Sequence, residues 1–168
     1  CNSISTAKLD ALSDILDTML TENRKLVIMA RFVPELNDIQ KLLEKKNIGY
    51  ASVRGGISDR AEEIRRFQND TECRVFVGEI AAAGLGITLT AASTMVFYSL
   101  DYSMSNFEQA KARIHRVSQT ENCLYIYLIA KNTVDAKILR SLRDKVDLAR
   151  TLVDDYRNGI NPFQEKEM

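Results

Sequence analysis

The segment Leu26–Ala30 (LVIMA) is a run of five apolar residues between two charged ones, Lys25 and Arg31. Four further short runs resemble it in being apolar and rich in β-branched or aromatic residues: residues 48–53 (IGYASV), 75–77 (VFV), 94–98 (TMVFY) and 124–129 (LYIYLI). Most of them lack polar alternation. Short apolar strands of this kind are typical of a parallel sheet that is buried on both faces by helices.

Helical patterns lie between these runs. Apolar residues recur at helical spacing before the first run (Leu9, Leu12, Leu16, Met19), after it (Leu36, Ile39, Leu42, Leu43) and near the end of the chain (Val134, Ile138, Leu142, Val146, Ala149, Val153). A third helix is predicted to start at Ser58 or Asp59, because Asp59 and Glu62 have the spacing of a capping box. A fourth is predicted over residues 105–118, and Gly159 with Pro162 is expected to close the last one.

The order of these elements is α-β-α-β-α-β-loop-β-α-β-α. It predicts an α/β fold, a three-layer sandwich with a mainly parallel sheet of five or more strands and helices on both faces. At 168 residues, the chain fits a single domain. This architecture hosts many chemistries, so the fold class alone does not give a function.

Bulk composition narrows the possible partners. The formal net charge is +0, which argues against strong, autonomous binding of nucleic acid phosphates but does not exclude one wall of a shared groove. Three widely spaced cysteines predict neither a disulfide framework nor a metal site, and they favour a reducing compartment. The sequence has no apolar stretch of membrane-spanning length and no signal-peptide core, so we expect a cytoplasmic, monomeric domain with no membrane partner.

The sequence also lacks a site for holding nucleotide phosphates. No Gly-rich loop ending in Gly-Lys-Ser/Thr follows the first strand, and no Asp-Glu pair ends a strand to hold Mg²⁺. A dinucleotide fingerprint is absent too, because Gly84 and Gly86 are not followed by a third glycine at the required spacing. We therefore expect the isolated chain to be inactive in ATP hydrolysis.

Two segments have features that suggest function. Residues 78–93 (GEIAAAGLGITLTAAS) join two predicted strands without a full helical pattern, and Gly84 and Gly86 would let the backbone approach a ligand. The alternative is a helical turn followed by a bend that needs glycine. In the predicted fourth helix, Gln109, Arg113 and Arg116 recur at i, i+4, i+7, which suits an anion such as a phosphate chain. The alternative is an ordinary solvated helix face.

Together these segments resemble motifs V and VI of the Swi/Snf family of superfamily 2. Residues 84–92 (GLGITLTAA) are similar to that family's GLGLNLTAA, and residues 109–119 (QAKARIHRVSQ) to its QAxxRxHRIGQ. Residues 133–139 (TVDAKIL) resemble its TVEEKIL, and residues 25–32 occupy the place of motif IV. One departure is Thr88, which stands where the family usually has asparagine. The compact chain, without long insertions, resembles a bacterial or phage member.

The resemblance implies a RecA-like helicase C-terminal domain over residues 1–168: a leading helix (1–24), a core with motifs IV–VI (25–130), a long helix (131–160) and a tail (161–168). The implied site residues fall into three groups. They are the catalytic arginine fingers (Arg113, Arg116), an ATP-binding group (Gly86, Thr88, Gln109) and a nucleic-acid-binding group (Arg31, Gly84, Thr90). ATP and Mg²⁺ would be held mainly by a first RecA-like lobe of the same polypeptide. The implied substrate is DNA, expected to be double-stranded.

Two other hypotheses remain open on the sequence alone. One is a non-catalytic interaction or nucleic-acid-binding module that kept the fold and lost the motor. The other is a free-standing nucleotide- or cofactor-binding enzyme, which the missing phosphate loop disfavours.

Overall fold

A computed structural model of the chain describes residues 2–55, 59–130 and 133–157. The side chains of residues 2–5, 83–85 and 155–156 lie outside that description. In chain order the elements are α1 (Asn2–Thr21), β1 (Leu26–Ala30), α2 (Val33–Lys45), β2 (Gly49–Val53), α3 (Arg60–Asn69), β3 (Cys73–Glu79), a 3₁₀ helix (Ile80–Leu85), β4 (Thr94–Phe97), α4 (Met104–Lys111), β5 (Leu124–Tyr127) and α5 (Val134–Arg157).

The sheet has five strands in the order β2-β3-β1-β4-β5, and every neighbouring pair is parallel. Strand β1 is central, because Leu26 aligns with Val75 of β3 on one side and with Thr94 of β4 on the other. All five residues of β1 are buried. This burial on both faces explains why its sequence shows no polar alternation.

Helices cover both faces of the sheet. On one face, α1 and α2 pack against alternate strand residues that include Leu26 and Ile28. On the other face, α3, α4 and the first half of α5 pack against Val27 and Met29 together with aromatic side chains such as Phe97. The predicted α/β three-layer sandwich is therefore confirmed, and all of its described strands are parallel.

Helix starts differ in detail from the capping prediction. Asp59 is the N-cap residue of α3, but its side chain makes no capping hydrogen bond. Glu62 instead forms an ion pair with Arg65, with 2.8 Å between Oε1 and Nη2. The carboxylate that reaches back to a helix start belongs to α2, where the Phe32 backbone N–H donates to Glu35 Oε2 at 3.3 Å. The capping box predicted at Asp59 and Glu62 is wrong.

The predicted helix over residues 105–118 is too long. Helix α4 ends at Lys111, and Arg113 and Arg116 lie in the turns that follow it. The carbonyls in this region are shared with tertiary donors: Lys111 O accepts from the His115 N–H at 3.3 Å and also from the Tyr125 hydroxyl at 3.2 Å, and Arg113 O accepts from the Leu89 N–H at 2.9 Å. The expectation that Gln109, Arg113 and Arg116 share one helical stripe is therefore wrong.

The last helix, α5, packs over only part of its length. Ile138 and Leu142 are buried in the core, whereas Val134 and Val153 of the predicted stripe are 54% and 50% exposed. Gly159, Pro162 and the predicted tail (161–168) lie outside the described residues. Within the described ranges, no helix combines the length and the apolar character needed to cross a membrane.

Candidate functional site

The candidate site is built at the carboxyl ends of the central strands. After β3 the chain forms the 3₁₀ helix, which contains Gly84, and then turns at Gly86. Gly86 has φ +71°, in the left-handed region that favours glycine, and apart from its chain neighbours no heavy atom of the described residues lies within 4 Å of where a Cβ would project. The alternative of a helical turn followed by a glycine bend is therefore present, and the approach of a ligand to this bend stays a prediction.

Two arginines converge on the loop that follows, residues 86–92. The Arg113 Nη1 donates to the Ile87 carbonyl at a long 3.5 Å, and Arg116 Nη2 donates to the same carbonyl at 3.2 Å. Arg116 Nη2 also lies 3.4 Å from the Gly86 carbonyl. The structure thus brings Arg113, Arg116 and Gly86 together, although by a turn rather than by the predicted helical stripe. We call Arg113 and Arg116 the arginine pair.

Arg113 is a buried cation without a counter-ion in the described part of the chain. Its side chain belongs to a residue that is only 8% exposed, and its Nε has no hydrogen-bond partner there. Burial, followed by the neighbouring charge of Arg116, lowers the pKa of Arg113 below the ordinary arginine value. No carboxylate within the described residues forms an ion pair with either arginine. An anion that approached this pair would relieve an uncompensated charge.

A glutamine that the sequence analysis left without a role links the loop to the arginine-bearing turn. Gln119 Nε2 donates to the carbonyls of Thr90 (3.3 Å), Ala92 (2.9 Å) and Ile114 (3.2 Å). Gln119 ends the motif VI match, so its position in that pattern was the available signal.

A second glutamine, Gln68 of α3, contacts the same loop, and the sequence did not predict a role for it. Its Nε2 donates to the Thr90 hydroxyl oxygen at 3.3 Å, and its Oε1 accepts from the Ala91 backbone N–H at 2.8 Å. Thr90 is half-buried, and its hydroxyl, which was expected to contact nucleic acid, is therefore already hydrogen-bonded within the domain. Nothing in the local sequence around Gln68 signals this contact, because its partners lie 22 and 23 residues away.

The other predicted ATP-binding residues are less closely tied to the arginine pair. Gln109 lies in α4, and its Nε2 donates to Ser105 Oγ on the same helix at 3.0 Å. Thr88 is half-buried between the buried Ile87 and Leu89. Among the described hydrogen bonds, none joins Gln109 to the arginine pair, so the structure does not gather the full predicted set.

Arg31 follows β1 at the same edge of the sheet. Its guanidinium lies over the ring of Phe32, 4.9 Å from the ring centre, and its side chain is exposed. Its backbone is held by a chain of two hydrogen bonds. The Arg31 N–H donates to Ser99 Oγ at 2.7 Å, and the Ser99 hydroxyl donates to Glu35 Oε2 at 2.5 Å. A hydrogen-bonded backbone with an exposed cationic side chain fits a contact to an anionic partner.

Comparison with known proteins gives a family for this fold. Residues 7–118 match the family model of the helicase conserved C-terminal domain. The chain belongs to this family. The helicase C-terminal domain also matches a solved structure, described as the crystal structure of the C-terminal part of the Fun30 ATPase domain. That match has a TM-score of 0.76 and 27% identity, and it covers 80% of this chain and 44% of the other.

Curated relatives of this helicase C-terminal domain are of the Swi/Snf type. The domain is 34% identical over 143 residues to the SWI/SNF-related matrix-associated actin-dependent regulator of chromatin subfamily A-like protein 1 of Drosophila melanogaster, covering 84% of the chain and 19% of that protein. It is 29% identical over 165 residues to the chromatin-remodeling ATPase INO80 of Homo sapiens, covering 97% of the chain and 11% of that protein. The chain thus spans less than a fifth of either relative.

These matches support a helicase C-terminal domain of a Swi/Snf-family, superfamily 2 ATPase. The expectation of a compact bacterial or phage member is not supported, because similar proteins come from animals, a plant and Mycosarcoma maydis. The expected cytoplasmic location and the monomeric state of the isolated domain stay predictions.

Proposed function

We propose that this chain is the second motor lobe of an ATP-driven DNA translocase or helicase, and that it supplies Arg113 and Arg116 to a nucleotide bound by another lobe. The observation that carries this proposal is the burial of Arg113 without a counter-ion among the described residues, next to a second arginine and an open glycine bend. A buried, unpaired guanidinium is costly in an isolated domain. That cost suits a group whose natural partner is an anion outside this chain.

The chemistry that the arginine pair could perform is electrostatic. Each guanidinium presents a planar fork of donors with a permanent charge, which can stabilise the charge that spreads over a transferring phosphoryl group. In the lone domain these donors rest on the carbonyls of Gly86 and Ile87, at 3.2–3.5 Å. Such long bonds to neutral acceptors would exchange readily for bonds to phosphate oxygens.

ATP and Mg²⁺ would be held mainly by the other lobe. The sequence lacks a phosphate loop, and the described residues contain no cluster of three or more His, Cys, Asp or Glu side chains able to hold a metal ion. This lobe's own share of the nucleotide site would be the arginine pair with Gly86, Thr88 and Gln109. The isolated chain is accordingly proposed to be inactive in ATP hydrolysis.

The nucleic acid would be double-stranded DNA, contacted by Arg31, Gly84 and Thr90. Support is strongest for Arg31, whose exposed guanidinium projects from a rigidly held backbone. It is weaker for Thr90, whose hydroxyl is already hydrogen-bonded to Gln68. With a formal net charge of +0, this lobe alone would bind DNA weakly, and the other lobe would supply the rest of the groove.

Substitution of the arginine pair in the full-length protein tests this function. We expect Arg113→Ala and Arg116→Ala each to reduce DNA-stimulated ATP turnover by on the order of 10³-fold, with ATP binding largely intact because the other lobe holds the nucleotide. The measurement is steady-state ATP hydrolysis with saturating DNA, beside equilibrium binding of a labelled ATP analogue. Arg65→Ala is the matched control, because Arg65 is a surface arginine that forms an ion pair with Glu62 in its own helix.

Unchanged turnover in both arginine variants would contradict the proposal. Loss of ATP binding together with turnover would also contradict it, because the arginines would then be ground-state ligands rather than groups that act on the transition state.

A further inference from the structure

We infer that Gln68 of α3 is a positioning residue for the loop of residues 86–92, and that it sets where the arginine pair lies. It would act through Thr90 and Ala91 rather than by touching nucleotide or DNA. The inference rests on the proposed motor-lobe function, since the loop matters for turnover only if the arginine pair does.

The geometry of Gln68 is that of a two-point clamp. One side-chain amide both donates to the Thr90 hydroxyl oxygen (3.3 Å) and accepts from the Ala91 N–H (2.8 Å), so two successive loop residues are held by a single planar group. Gln119 holds the carbonyls of Thr90 and Ala92 from the turn that follows α4. Residues 90–92 are therefore fixed by two glutamine amides that come from different elements.

The clamped loop is in turn the support on which the arginine pair rests. The Leu89 N–H donates to the Arg113 carbonyl at 2.9 Å, and the Ile87 carbonyl accepts from both guanidinium groups. A displacement of Thr90 and Ala91 would move Leu89 and Ile87, and with them the backbone and side-chain anchors of Arg113. Charge stabilisation in a transition state depends on donor placement to within a fraction of an ångström, so a small shift would lower turnover.

This role differs from the one that the sequence assigned to Thr90. If Thr90 binds DNA directly, loss of its hydroxyl weakens DNA binding whatever residue occupies position 68. If Gln68 acts through Thr90 and Ala91, then Gln68→Ala and Thr90→Val remove overlapping interactions. The double variant should then be no worse than Gln68→Ala alone.

The test compares Gln68→Ala with Gln40→Ala in the full-length protein. Gln40 is a matched control: it is half-buried like Gln68, and its Nε2 donates to a hydroxyl, Ser52 Oγ, at 2.7 Å between α2 and β2. We expect Gln68→Ala to lower kcat for DNA-stimulated ATP hydrolysis about tenfold, with KM for ATP within about twofold of the unsubstituted protein. Gln40→Ala should leave kcat unchanged.

A second readout does not depend on turnover. Amide hydrogen exchange of residues 86–92 in the full-length protein should accelerate in Gln68→Ala, because Ala91 loses its acceptor, and should not change in Gln40→Ala. Equal exchange and equal kcat in the two variants would overturn the positioning role. A Thr90→Val variant that weakens DNA binding while keeping kcat would overturn it as well, in favour of direct contact.

Failure of this inference is distinguishable from failure of the proposed function. If the arginine variants lose turnover and Gln68→Ala behaves as Gln40→Ala, the positioning role alone is wrong. If the arginine variants keep turnover, the proposed function is wrong, and hydrogen exchange still decides whether Gln68 holds the loop.

Discussion

At the scale of single residues, the site contains charged groups that lack a hydrogen-bond partner or a counter-ion within the described chain. Arg113 is buried with an orphaned Nε, and its neighbour Arg116 carries the same charge. Such a group lowers stability, because an apolar side chain in that place would need no partner.

Replacement of Arg113 by methionine tests whether the buried guanidinium lowers the stability of the fold. We expect Arg113→Met to raise the free energy of unfolding of the chain by about 1 kcal/mol, since it removes a buried charge and keeps an unbranched apolar stem. The measurement is denaturant unfolding, with Arg116→Met as control. Arg116 is exposed, so its replacement should change the free energy of unfolding by less than about 0.5 kcal/mol. A loss of more than about 2 kcal/mol for Arg113→Met would mean that the guanidinium is a structural support.

The sequence predicted the arginine pair but not the residues that hold it. Arg113, Arg116 and Gly86 were singled out because they stand in short segments that resemble motifs V and VI, whereas the helical stripe that also pointed to the arginines is absent. Gln68 and Gln119 act through hydrogen bonds to residues 22 to 29 positions away. Such contacts depend on how α3 and the turn after α4 pack against the loop, which neither periodicity nor composition specifies.

At the scale of elements, the clearest difference between prediction and structure is the end of α4. Helical periodicity continues through Ile114 and Val117, yet Val117 is fully exposed and the helix ends at Lys111. The Arg113 carbonyl accepts from the Leu89 N–H, and the Lys111 carbonyl is shared between the His115 N–H and the Tyr125 hydroxyl, so tertiary donors compete with helical bonds where the helix ends. Local propensity favoured a longer helix, and tertiary hydrogen bonds overrode it.

Helices α1 and α5 are joined by an ion pair that the sequence did not suggest. Lys8 of α1 and Asp135 of α5 form a buried salt bridge, and Lys8 Nζ also donates to the Tyr98 carbonyl at the end of β4 at 3.0 Å. The side chains of Lys8 and Asp135 are only 9% and 13% exposed. This contact ties the first and last helices to the edge of the sheet that carries the site.

Removal of one partner of this pair should be strongly destabilising. We expect Lys8→Met to lower the free energy of unfolding by about 3 kcal/mol, because Asp135 would be left charged and largely buried. Lys46→Met is the matched control: its partner Asp17 is 62% exposed, so the loss should be below about 1 kcal/mol. Equal effects in urea unfolding would show that the Lys8 pair is no more than a surface contact.

At the scale of the whole molecule, the fold class followed from the apolar runs, whereas the extent of packing did not. All five predicted strands are present, and every end lies within two residues of the expected limit, because buried parallel strands have a strong local signature. The apolar stripe predicted for α5 packs over only part of its length, because Ile138 and Leu142 are buried whereas Val134 and Val153 are 54% and 50% exposed. Periodicity shows that a face is apolar, but it cannot show which part of a molecule covers that face.

The candidate site as a whole is also incomplete within this chain. The described chain presents two arginines, an open glycine bend and an exposed Arg31 at one edge of its sheet, and its sequence lacks the phosphate loop and Asp-Glu pair that would complete a nucleotide site. The proposed function is therefore a property of two lobes, and only an assembled site can test it.

The most direct test is the affinity of the full-length protein for a transition-state mimic, ADP with aluminium fluoride, relative to ADP alone. Groups that act on the transferring phosphoryl contribute to the first affinity and little to the second. We expect Arg113→Ala and Arg116→Ala to reduce this ratio by on the order of 10³-fold while the affinity for ADP is kept. A ratio equal to that of the unsubstituted protein in both variants would contradict the claim that this lobe delivers its arginines to ATP.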